Sequence, residues 1–173
     1  MSKKISDYEI SEDAFDLKNF LDGIVQRVRD VYTLYNVPLP ARQYWTFGDP
    51  AYDCEQMVVS FVNLYLGPPG DEANTPQRCT QPRTAVVRIS VVREMATQNQ
   101  GSRSVAIPTP EAIQDASNWQ ALDAWILIQS SKQFDFWDPE YGVPGLGLIA
   151  TVTAGTAAGG FNDVSMTLTM AVP

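Results

Sequence analysis

The segment from Gln56 to Leu66 restricts the fold most, because it is rich in β-branched and aromatic residues and apolar on both of its alternating faces. A strand with one wet face alternates; one that is apolar all round reads as a central strand, covered by a helix on one side and by a neighbouring subunit on the other. A covering helix precedes it over residues 11–35. There Ala14, Leu17, Leu21, Ile24, Val28, Val31 and Tyr35 step by three and four and share one face. Ser11 or Asp13 can cap its start, and Glu12, Asp13 and Asp16 sit where the helix dipole favours anions. Pro38 and Pro40 end it. Lys18, Asn19, Asp22, Gln26, Arg29 and Asp30 form its solvated face.

Other segments supply more sheet and a second helix. Gln43–Phe47 reads as extended and stops at the turn Gly48-Asp49-Pro50. In Thr84–Glu94, Ala85, Val87, Ile89 and Val91 face one way, and Val86, Arg88, Ser90, Val92 and Glu94 the other. Residues 67–82 hold too many prolines and glycines for regular structure, and residues 95–108 are rich in Gln, Asn, Ser and Gly, so both read as long interaction loops. Thr109-Pro110-Glu111 opens a helix running to about Phe134, with an apolar stripe of Ala112, Ala116, Trp119, Leu122 and Ile126 that Trp125 and Ile128 widen. Leu148–Ala154 and Val164–Val172 alternate around the glycine-rich residues 155–160, a closing hairpin. The order is helix, three strands, helix, C-terminal β-hairpin. This predicts an α+β fold, a mostly antiparallel β-sheet packed against two long helices, in one domain with residues 1–10 as an N-terminal arm.

Composition narrows the chemistry. The 173 residues contain no histidine, which removes Ser-His-Asp and Cys-His nucleophile systems, His-ligated zinc and the commonest general base. Twelve Lys+Arg against 20 Asp+Glu leave a net charge of −8, so an ordinary nucleic-acid-binding surface is not expected. No signal peptide and no membrane-length apolar run is visible. Cys54 and Cys79 are too far apart for a CxxC motif and read either as two thiols or as a bridge across paired strands. Asp49, Asp53 and Glu55 form one acidic group, and Asp135, Asp138 and Glu140 another beside Phe134, Phe136, Trp137 and Tyr141. The first could hold a divalent metal or pair carboxylates for acid/base work and the second could bind sugar or metal, which keeps a small carboxylate-dependent hydrolase or metal-binding protein as the reading from a different class. No phosphate-cradling loop, Gly-x-Ser-x-Gly or Ser-x-x-Lys occurs, so the expectation is a protein without enzymatic activity or cofactor. Arg78, Arg83, Arg88, Arg93 and Arg103 lie on or beside the central strands and loops, and arginine among aromatics suits a protein–protein interface.

Several short runs carry a family likeness. Tyr44-Trp-Thr-Phe-Gly48, Asp53-Cys-Glu-Gln56, Gly67-Pro-Pro-Gly70, Arg78-Cys79, Pro82-Arg83, the Val-Val-Arg-x-Ser-Val-Val-Arg strand, Asp123-Ala-Trp125 and Gly159-Gly-Phe161 resemble, in order over residues 14–173, the head-to-tail joining proteins of long-tailed double-stranded DNA phages. The layout is also similar to that of tail terminators, with the neck or stopper ring of the same junction close in size and order. The resemblance implies a virion protein of the head–tail junction, assembled in the host cytoplasm. It would form a homo-oligomeric ring, a hexamer, that contacts the major tail tube protein and the neck or connector proteins. DNA would pass through its channel without specific binding, repelled by an acidic lumen. In such a ring the contact is heterologous, and Arg78, Arg83, Arg88 and Arg93 facing the acidic residues Asp49, Asp53, Glu55, Asp71 and Glu72 is one way to build it.

Overall fold

The computed structural model describes residues 16–50, 53–67, 69–70, 83–94, 100–101, 104–105, 108–133, 149–155 and 161–172. The N-terminal arm, Asp71, Glu72, Arg78, Cys79, Arg103 and the Asp135–Glu140 group lie outside them.

Helix α1 spans Asp16–Leu34. Leu21, Ile24, Val25, Val28, Val31 and Tyr32 are buried on one face, each contributing on the order of 1.5–3 kcal/mol by leaving water. Tyr35, expected on that stripe, is 40% exposed because it lies past the helix end. The helix stops before its prolines. Asn36 adopts φ 54°, Val37 N donates to Tyr32 O at 3.0 Å and Asn36 N donates to Thr33 O at 3.0 Å. This is a Schellman cap with Asn, which tolerates the left-handed region, where glycine is usual. Val37 then turns into the core.

The main sheet has the order β1-β2-β3-β7-β6, from β1 (Arg42–Phe47), β2 (Gln56–Leu66), β3 (Arg83–Glu94), β6 (Ile149–Gly155) and β7 (Phe161–Val172). The α+β class and the mostly antiparallel pairing are as expected. The exception is β1, which runs parallel to β2 with Arg42 opposite Gln56. Gly48, at φ 90°, turns the chain out of β1 in a conformation that disfavours any side chain. Within residues 95–108 two short strands, β4 (Gln100–Gly101) and β5 (Ser104–Val105), pair as a small ribbon that composition did not signal.

Side-chain alternation sorts the sheet into two faces. Met57, Val59, Ala85, Val87, Ile89, Val91, Val164, Met166, Leu168 and Met170 form the core with the helices. On the opposite face Val58, Ser60, Val86, Ser90 and Val92 are also buried. The expectation that β2 is covered on both sides holds over Gln56–Ser60 and fails beyond, where Val62, Leu64 and Leu66 are exposed. A bulge marks the change. Phe61 pairs with Val87 but Asn63 pairs with Val86, leaving Val62 without a partner on β3. The extra residue reverses the alternation, so that odd residues face the helices before it and even residues after it. Deleting Val62 would leave every pair intact in a regular ladder. The variant is expected to fold, with its urea midpoint changed by no more than about 1 kcal/mol of stability; an unfolded product would refute this register.

Helix α2 spans Pro110–Gln133. Thr109 caps it as expected, its Oγ1 accepting from Ala112 N at 3.2 Å. Hydrogen bonds from the backbone N–H of Glu111 and the Thr109 hydroxyl hold the Glu111 carboxyl below its ordinary value. The apolar stripe requires correction. Ile126 is buried and Leu122 packs on the core as expected, but Trp119, Trp125 and Ile128 are 37%, 44% and 42% exposed, and Asp123, Leu127 and Ser130 are buried instead. The helix is apolar on more than one side, so periodicity could not choose the face, and the buried face includes an acid.

Candidate functional site, an assembly surface

That acid joins three elements. Asp123 on α2 accepts from Tyr32 Oη at 2.9 Å, from Arg93 Nε at 2.6 Å and from Arg93 Nη2 at 2.9 Å. The same Nη2 donates to Pro38 O at 3.0 Å, and the guanidinium lies 4.3 Å from the Trp119 ring centroid. The side chains of Arg93 and Asp123 are 12% and 2% exposed. Burial, reinforced by the Asp123 charge, pushes the Tyr32 phenol well above its ordinary value. Burial opposes the Arg93 charge, but the Asp123 hydrogen bonds and carboxylate outweigh it and hold its pKa above the ordinary value. With both oxygens engaged, Asp123 fastens α1, α2 and β3. A cleft of about 290 Å3 opens beside it, with Glu55 and Glu94 among its walls.

Arg93, expected at an interface, turns its Nε and Nη2 to partners inside the subunit. The signal was present, since Arg93 continues the parity of Ala85, Val87, Ile89 and Val91 toward the helices. Arg88 points to the other face and pairs with Asp49, Nη1 to Oδ1 3.6 Å, within the same chain. Arg42, which the sequence reading did not single out, pairs with Asp53 at 3.2 Å and reaches Cys54 Sγ at 3.5 Å. Cys54 is a free thiol. Glu55 Oε1 accepts from Glu94 N at 3.1 Å. Asp49, Asp53 and Glu55 thus turn to three different partners, and among the described residues no three His, Cys, Asp or Glu side chains gather to hold a metal. Arg83 is placed at the start of β3 opposite Leu66.

What the fold brings together instead is apolar. Phe47 ends β1 beside Phe61, ring centroids 5.2 Å apart, and Trp45 stands edge-on to Phe47 at 5.9 Å. By register Phe47, Phe61, Leu64 and Leu66 all share the helix-side face. The sheet projects past its helices here, leaving Phe47, Val62, Leu64 and Leu66 between 45% and 59% exposed. A second exposed group lies on the helix layer, where Tyr35 and Trp125 meet edge-on at 4.7 Å near Leu34 and Ile128. Contiguous apolar surface of this kind marks contact with another protein or a membrane. No helix among the described residues is long and apolar enough to cross a membrane. The sequence matches no protein-family model, and a search of curated proteins finds no relative.

Proposed function

We propose that this chain is a structural ring subunit of the tail-terminator kind. Six copies end the tail tube, join it to the head–tail connector and leave a channel for DNA. The observation that carries the reading is the uncovered end of the sheet, where Phe47, Val62, Leu64 and Leu66 present large apolar side chains at the C-terminal ends of two parallel strands. With the ring axis along the strands, this end faces the layer above or below and docks on it. The short runs shared with phage head–tail joining proteins support the same role, and the net charge of −8 suits a lumen that DNA crosses without sticking.

Light scattering over a concentration series and negative-stain images test this directly. The expected result is a sixfold ring that binds the end of purified tail tubes. Leu64→Asp, at a site already exposed, is expected to keep the fold and the ring mass while weakening tube binding at least tenfold. A monomer at every concentration that also fails to bind tubes would refute the role.

A further inference from the structure

The main sheet is open on both sides: among the described residues, no strand pairs with the outer edge of β1 or of β6. Folded monomers blunt such edges with lysine, proline, bulges or inward charge. Strand β6, Ile149–Gly155, has none of these, and its Ala150, Thr151, Thr153 and Ala154 are exposed. Strand β1 carries a single charge, Arg42, at its first residue.

The two edges complement each other. Strand β1 is parallel to β2, and each later step across the sheet is antiparallel, so β6 runs opposite to β1. Rotation about an axis along the strands preserves strand direction, so β6 of one copy meets β1 of the next antiparallel, the stronger geometry. The faces match under the same rotation. Trp45 and Phe47 lie on the helix side with Ala150 and Val152, while Thr46 and Thr151 lie on the other. One register keeps these faces and pairs all six residues of β1: Arg42–Phe47 against Ala150–Gly155, with Thr46 opposite Thr151 and Phe47 opposite Ala150. It sets the exposed Phe47 ring beside a methyl group that leaves room for it. A shift of two residues in either direction unpairs part of β1.

We propose that copies of this chain join by antiparallel pairing of β6 with the neighbour's β1 in this register, so that the sheet continues from subunit to subunit around the ring. The contact is heterologous and leaves no free edge once closed. This rests on the ring reading above and specifies its contact.

In a Cys54→Ser, Cys79→Ser background, Thr46→Cys and Thr151→Cys placed in one chain are expected to give an oxidised covalent ladder up to the ring size. Either cysteine alone should give none, because like positions do not meet. Thr151→Lys with Thr153→Lys, both at exposed sites, should leave the melting temperature unchanged and raise the concentration needed for assembly at least tenfold. Each sample is weighed by light scattering, with and without purified tail tubes. Rings without a ladder, or rings indifferent to the lysines, would overturn the strand pairing and leave the ring reading standing. Monomer under every condition would overturn both.

Discussion

Asp123→Ala is expected to destabilise the fold by about 3–5 kcal/mol in urea unfolding, because it strands the Arg93 charge where water barely reaches. The loss is that of an uncompensated buried ion rather than of one hydrogen bond. Asp123→Leu combined with Arg93→Met should therefore recover most of the stability, since apolar replacement of a buried pair is often neutral or better. Tyr32→Phe leaves the pair intact and should cost about 1 kcal/mol for its hydrogen bond to Asp123. It should also change the alkaline limb of stability. The folded state raises the Tyr32 pKa above the phenol's ordinary 10.0, so it keeps a proton that the unfolded chain releases. That contribution is complete below about pH 10 and fades as pH rises toward the folded value, with a slope approaching about 1.4 kcal/mol per pH unit. Melting curves between pH 8 and 11.5 should therefore fall less steeply for Tyr32→Phe than for the parent chain. Parallel slopes would show that Tyr32 is not held protonated by its surroundings.

Leu127→Ala should cost about 2–5 kcal/mol, and Ile128→Ala, one residue on, no more than about 0.5 kcal/mol. Leu127 is fully buried between α2 and the sheet, so its removal leaves a cavity that the core fills only in part. Ile128 is 42% exposed beside Trp125 and already meets water. Denaturant midpoints separate the two, and equal losses would mean that α2 is rotated from the orientation described. The comparison is sharp because the apolar stripe expected from the sequence takes in Ile128 and leaves out Leu127, the reverse of their burial.

Part of this was legible before any coordinates. The strand limits Gln56–Leu66, the alternation of Ala85, Val87, Ile89 and Val91, the Thr109 cap and the core face of β7 all follow from local rules. Each reflects a side-chain period or a hydrogen bond that reaches three residues at most. Local rules do not reach to where two elements are placed together. Asp49, Asp53 and Glu55 look like one acidic cluster along the chain. The parallel approach of β1 to β2 sends Asp53 to Arg42, the loop after β1 gives Asp49 to Arg88, and the end of β3 takes Glu55.

Arg93 and Asp123 show the same division. Parity in β3 aims Arg93 at the helices, and the spacing of α2 allows Asp123 to face the sheet, so each buried charge could be suspected separately. Their pairing spans 30 residues and depends on how α2 lies over β6 and β7, which no local pattern encodes. The amino-acid sequence by itself determined the periods, the caps and therefore the α+β class. Tertiary structure alone decided which strand edges stay open and which apolar residues stay wet, because exposure is a property of what packs alongside a residue.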